Sequence, residues 1–131
     1  MARSPDPCRQ RPEANALLGR SLARRARSRC ELCGAAGVAL SAFEVAPFPE
    51  DPNPERAVLL CQRCFAASVG GTLDPLSWRC LESAAWSELA PLQVLAVRLA
   101  RRLASERCDW AADLLGMLYL APEIEDWLGS S

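Results

Sequence analysis

The chain contains neither histidine nor lysine. Without imidazole there is no Ser-His-Asp triad, no Cys-His pair, no histidine base and no His-ligated metal. Without lysine there is neither Schiff-base chemistry nor the lysine of a phosphate-binding P-loop. No Gly-rich phosphate loop is present, since Gly70-Gly71 reads as a helix stop. No apolar run approaches the ~18 residues of a membrane span. The opening Met-Ala-Arg-Ser-Pro-Asp-Pro is polar and broken by proline, with no apolar core of a signal peptide. Internal repeats and low-complexity tracts are also missing. These absences predict a cytoplasmic protein with no membrane contact.

The chain has 131 residues, half of them apolar. That is enough for one domain with a buried core. All 15 basic residues are arginine, against 16 acidic ones, for a formal charge of −1. The near-neutral total hides an asymmetry. Residues 1–29 hold eight Arg against Asp6 and Glu13, a balance of +6. Residues 30–131 hold seven Arg against 14 acids, a balance of −7. A basic head on an acidic body permits contact between the head and a polyanion.

Residues 1–13, with three prolines, read as a disordered lead-in. Residues 14–29 read as an Arg-rich helix, with Ala16, Leu17, Leu18, Leu22 and Ala26 at helical spacing. Arg20, Arg24, Arg25, Arg27 and Arg29 fall elsewhere on it, either as a solvated face or as a polyanion contact. Residues 30–72 carry two cysteine pairs, with strands expected over 38–45 and 57–60 and a short helix over 65–69. Between the strands, residues 46–55 contain four prolines and form a loop. Residues 73–128 read as helical and join the cysteine segment in one compact unit. A first helix there starts at Asp74 or Ser77 and reaches Trp86. A second opens on Pro91 and carries Leu92, Leu95, Leu99 and Leu103 as a stripe. A third begins at Asp109, and a last short one at Pro122.

Cys30-x-x-Cys33 and Cys61-x-x-Cys64 are separated by 27 residues. Two residues between cysteines let both thiolates of a tight turn converge on one ion. Four such sulfurs form the closed tetrahedral shell of a structural Zn²⁺, with Zn–S near 2.3 Å. Gly34 suits the turn-back of the first knuckle. The gap exceeds the usual ~15–20 residues, and the Pro-rich loop accounts for the excess. An iron–sulfur cluster or a redox-active pair is the alternative use of these cysteines. A catalytic zinc would need an open position, which four thiolates do not leave.

Knuckle, two strands, then a second pair entering a helix is a treble-clef-like order, and it resembles the frame of His-Asn-His nucleases. Phe43, Glu44 and Phe65 stand where that chemistry requires imidazoles, so nuclease activity is not expected. A second resemblance runs from about Leu22 to Leu128. Arg29-Cys-Glu-Leu-Cys-Gly34, Phe43-Glu-Val45 with Pro47, Leu60-Cys-Gln-Arg-Cys64, Trp78-Arg-Cys-Leu81 and Trp86-Ser-Glu88 occur in one order. Gln93-Val94, Trp110-Ala, Asp113-Leu-Leu115, Met117-Leu-Tyr-Leu120 and Trp127 follow. Together they resemble the N-terminal zinc-ribbon module of the proteobacterial alkylphosphonate-utilisation operon protein PhnA family. That family usually has a His before the Trp-Arg-Cys-Leu run, where this chain has Ser77. Larger members continue into a small β-barrel domain, and this sequence reaches Ser131 without it. The family name reflects operon membership, so the resemblance implies a zinc-binding module and no C–P bond chemistry.

Cys80 reads as a small buried hydrophobe. A nucleophilic role, with Arg79 lowering its pKa, lacks a base partner. Cys108 and Cys8 carry still less. Trp78, Trp86, Trp110, Trp127 and Tyr119 read as core, because a base-stacking platform would want interleaved cations and only Arg79 qualifies. The acids Glu123, Glu125 and Asp126 read as helix N-terminal charges.

The expected protein is therefore α+β and α-rich, a treble-clef-like module packed with three or four C-terminal helices. It is expected to bind one structural Zn²⁺ through Cys30, Cys33, Cys61 and Cys64, and to be non-enzymatic. Its expected partner is a protein or a second copy in a homodimer. Nucleic-acid binding through the arginines before Cys30 is one alternative, and an enzyme or accessory protein of phosphonate metabolism is another.

Overall fold

The computed structural model describes residues 12–129. Most of the expected lead-in, Cys8 included, lies outside the described residues, and Pro12 and Glu13 already belong to the first helix. The order is α1 (Pro12–Ala26), β1 (Leu40–Glu44), a 3₁₀ turn (Pro54–Arg56), β2 (Ala57–Cys61), α2 (Gln62–Ser68), α3 (Leu81–Ala84), α4 (Ala90–Ser105), α5 (Asp109–Met117) and α6 (Pro122–Gly129). The α-rich α+β class read from the sequence is the class observed.

Helix α1 starts two residues earlier than the apolar spacing predicts, because proline suits a first helical turn where its missing N–H is not needed. It also stops three residues earlier. Arg27 and Ser28 take positive φ values of 56° and 58°. The Ser28 N–H reaches the Ala23 carbonyl at 2.9 Å and the Arg27 N–H reaches the Arg24 carbonyl at 3.4 Å. This closes the end as a Schellman motif with Arg where Gly is usual. Arg27 and Arg29 therefore lie beyond the helix.

β1 and β2 pair antiparallel, with Ala42 opposite Leu59 and Phe43 opposite Val58. β1 begins two residues later than expected, since the chain is still turning at Gly37 (φ 73°) and leaves Val38 half-exposed. Alternation assigns the two faces of the hairpin. Ala42, Ala57 and Leu59 pack under Leu18 and Leu22 of α1 in a small outer core. Phe43, Val45, Val58 and Leu60 turn the other way into the main core with α4. Covered on both sides, β2 is buried at every position.

α4 is the axis of the helical half and touches β2, α3, α5 and α6. Its expected leucine stripe is buried, but so are Val94, Ala96, Val97 and Ala100, because neighbours surround it on several sides. Arg102, off the stripe, anchors α4 to the segment that carries the second cysteine pair. Its Nη1 donates to the Ala67 carbonyl at 2.7 Å and its Nη2 to the Gly71 carbonyl at 2.6 Å. These acceptors lie at the C-terminal end of α2, where a cation is also favoured by the helix dipole. Gly71 is required there, since a Cβ would sit 2.7 Å from the Ala66 carbonyl oxygen. Arg102→Ala is expected to cost about 2 kcal/mol, two charge-assisted bonds to part-buried carbonyls, read as a lower urea midpoint at constant m-value. An unchanged midpoint would show that water replaces the guanidinium without loss.

The helix expected from Asp74 or Ser77 to Trp86 shrinks to α3. Asp74 bonds the Leu76 N–H at 3.3 Å and the Ser77 hydroxyl at 2.8 Å, holding successive turns instead of a helix. Trp86 consequently sits at the end of a four-residue helix and is 51% exposed, not in the core. Tyr119 is 94% exposed, also against expectation, because α5 ends at Met117 and the chain there is extended. Trp78 is buried. Trp110 and Trp127 are half-buried beneath the guanidinium groups of Arg79 and Arg56, 5.1 and 4.0 Å from the ring centroids. Among the described residues no helix is long and apolar enough to cross a membrane.

Candidate metal centre

Two local devices present four sulfurs to one point. The first is the turn after α1. The Gly34 N–H bonds the Cys30 carbonyl at 2.8 Å and the Cys30 N–H bonds the Ala35 carbonyl at 2.9 Å. Gly34, at φ 83°, reverses the backbone after Cys33, as its position in the sequence predicts. The second device is the junction of β2 and α2. Cys61 ends the strand and caps the helix, and Cys64 lies one turn in. Antiparallel pairing puts Leu40, just beyond the first knuckle, opposite Cys61, so the hairpin itself carries one pair to the other.

The Sγ atoms of Cys30, Cys33, Cys61 and Cys64 all lie within 4.8 Å of one another. Cys30, Cys61 and Cys64 are buried and Cys33 is partly so. The Cys33 and Cys61 sulfurs are 3.7 Å apart, far beyond the ~2.05 Å of a disulfide. That separation matches the ~3.8 Å edge of a tetrahedron whose centre is ~2.3 Å from each corner. The donor set and its size therefore fit a four-coordinate metal ion.

Electrostatics agree with a cation at the centre. The Cys64 thiol donates to Cys30 and holds the Cys30 pKa well below the usual thiol range. The same contact, with burial, pushes Cys64 strongly upward. Burial also raises Cys33. One thiolate thus suppresses the next, and four can coexist only when a positive charge offsets their repulsion.

A charged clamp supports this frame. Glu31, inside the first Cys-x-x-Cys, is bound by Arg25 through Nε at 2.9 Å and Nη2 at 2.7 Å. Arg25 also donates to the carbonyls of Pro54 at 2.7 Å and Ala57 at 2.9 Å. The Glu31 carboxylate accepts the Leu59 N–H at 2.8 Å, and the Glu31 N–H donates to the Leu59 carbonyl at 2.8 Å. One ion pair therefore ties α1, the knuckle and β2 together. Spacing alone could not reveal it, because Arg25 and Glu31 are six residues apart across a helix end and the main-chain groups they bind lie 28 or more residues away.

This clamp removes Arg25 from the five arginines read as one polyanion contact. Arg20, Arg24, Arg27 and Arg29 are exposed. Cys80 is half-buried and its thiol is pushed up by burial, against a smaller downward pull from Arg63. Cys108 is buried. Neither joins the four-sulfur group. No family model, curated protein or solved structure matches the chain.

Proposed function

We propose that the chain is a non-enzymatic zinc module of the cytoplasm, in which Cys30, Cys33, Cys61 and Cys64 hold one structural Zn²⁺. The observation that carries this reading is the convergence of four mostly buried sulfurs within 4.8 Å. A closed thiolate shell leaves no position for substrate or activated water, and the sequence has no His or Lys to serve as a base. The treble-clef-like order of knuckle, hairpin and helix, and the resemblance to the PhnA zinc ribbon, support the same reading. The role is interaction with a protein, foremost a second copy. The helical half leaves Leu76, Trp86, Met117 and Tyr119 exposed at 85%, 51%, 65% and 94%, the large apolar side chains that a partner would cover.

Elemental analysis of purified protein is expected to return one zinc per chain. Iron with visible absorbance would replace zinc by a cluster, and no metal would overturn the site. Light scattering is expected to give a mass that rises above the 14.3 kDa of one chain with concentration. Trp86→Ser with Tyr119→Ser should lower it. A constant monomer mass would assign these side chains to a different protein.

A further inference from the structure

Most described arginines are engaged by the fold, while Arg101 and Arg107 are exposed on the body away from α1. Arg25 and Arg79 are ion-paired with Glu31 and Glu82. Arg56 and Arg63 lie over the rings of Trp127 and Trp78. Arg98 and Arg102 donate to main-chain carbonyls. By contrast, Arg20, Arg24, Arg27 and Arg29 are exposed, and no described carboxylate pairs with them. They also sit together. Arg20 and Arg24 stand one turn apart on α1, and Arg27 and Arg29 follow on its terminal turn. Leu18 and Leu22 occupy the opposite side and are buried on the hairpin. Between Leu18 and Cys30 there is no acidic residue. The cluster is a cationic ridge beside a body, residues 30–131, whose net charge is −7.

We infer that Arg20, Arg24, Arg27 and Arg29 form a binding face for the phosphate backbone of nucleic acid. The face suits phosphates for three reasons. Guanidinium groups present paired donors matched to phosphate oxygens. The net negative charge of residues 30–131 disfavours a polyanion on the body, so association is oriented through this ridge. No aromatic side chain lies between Leu18 and Cys30, so bases are not stacked and recognition is of the backbone, without sequence preference. An anionic membrane is the weaker match. A surface-bound helix inserts an apolar face, and α1 has already committed its apolar face to Ala42, Ala57 and Leu59. Arg25 is excluded from the face by its clamp to Glu31.

This inference is independent of the zinc reading. The test titrates the full metal-loaded chain into a fluorescent 20-base-pair DNA duplex, with a single-stranded RNA of equal length as second arm. Binding at low salt should weaken with salt at a log–log slope of about −3 to −4 on the duplex, one counterion per contacted phosphate, and less steeply on the single strand. Arg20→Ser, Arg24→Ser and Arg27→Gly are each expected to reduce the slope by about one. Arg27→Gly is the decisive variant, because glycine takes φ 56° without strain and its thermal midpoint should hold or rise while binding falls. Lost binding with one zinc per chain and an unshifted midpoint cannot be ascribed to unfolding. Absence of binding to both nucleic acids at low salt overturns the inference, as does binding indifferent to the three substitutions. Binding to phosphatidylserine vesicles in place of both nucleic acids overturns it too. One zinc per chain in any of these outcomes leaves the metal site standing.

Discussion

Removing the metal is expected to unfold at least residues 30–70, and with them the cooperative transition of the whole described chain. Cys30, Cys61 and Cys64 are buried members of the same apolar core as Trp78, Leu81 and the inward face of α4. Losing the ion leaves four thiols whose ionisations oppose one another at the centre of that core. A structural zinc supplies about 10–16 kcal/mol of apparent binding free energy at neutral pH. The net stability of a domain is about 5–15 kcal/mol. The first magnitude meets or exceeds the second, so the apo chain should not hold the native hairpin. A chelator strong enough to strip the ion, or Cys64→Ser, should abolish the sigmoidal thermal transition and reduce the helical circular dichroism. A normal spectrum and midpoint after verified zinc loss would refute a structural role.

The second large effect concerns Glu31, which lies between Cys30 and Cys33. Glu31→Ala removes the acceptor for Arg25 and for the Leu59 N–H in one step. Glu31 is 7% exposed at its side chain and Arg25 27%. Breaking such a pair leaves an orphan amide and a poorly solvated cation, worth about 3 kcal/mol. Glu31→Gln keeps an oxygen for Leu59 and should cost less. Arg25→Ala should cost as much as Glu31→Ala, because it strands a carboxylate in the protein. Urea midpoints of the two single variants and the double variant would give a coupling energy of about 1–3 kcal/mol. Coupling below about 0.5 kcal/mol would mean that the two side chains merely meet at the surface.

The four-cysteine cluster was readable because its information is local. A Cys-x-x-Cys pair is a short turn wherever it occurs, and Gly34 marks where that turn reverses. The hairpin was readable for a similar reason, with apolar residues on both sides of a Pro-rich loop. What escaped the sequence depends on distant neighbours. Trp78 and Trp86 both lie among Ala, Ser and Leu, yet one is 3% and the other 51% exposed. The helix between them is four residues long, too short for periodicity to assign a face. The five arginines before Cys30 likewise look alike in sequence. Arg25 differs only because Glu31, Pro54 and Ala57 are folded beneath it.

The clamp has a consequence beyond its own stability. A two-stranded sheet exposes the outer edge of each strand, and an open apolar edge is a template on which another chain can add a strand. β2 reads Ala57-Val-Leu-Leu-Cys61, a segment whose β propensity and lack of charge suit self-assembly. Its outer edge is already engaged at Ala57 and at Leu59, by the Arg25 guanidinium and by the backbone and carboxylate of Glu31. The knuckle therefore also covers the edge on which another chain could add a strand, through the single acidic side chain between Cys30 and Cys33.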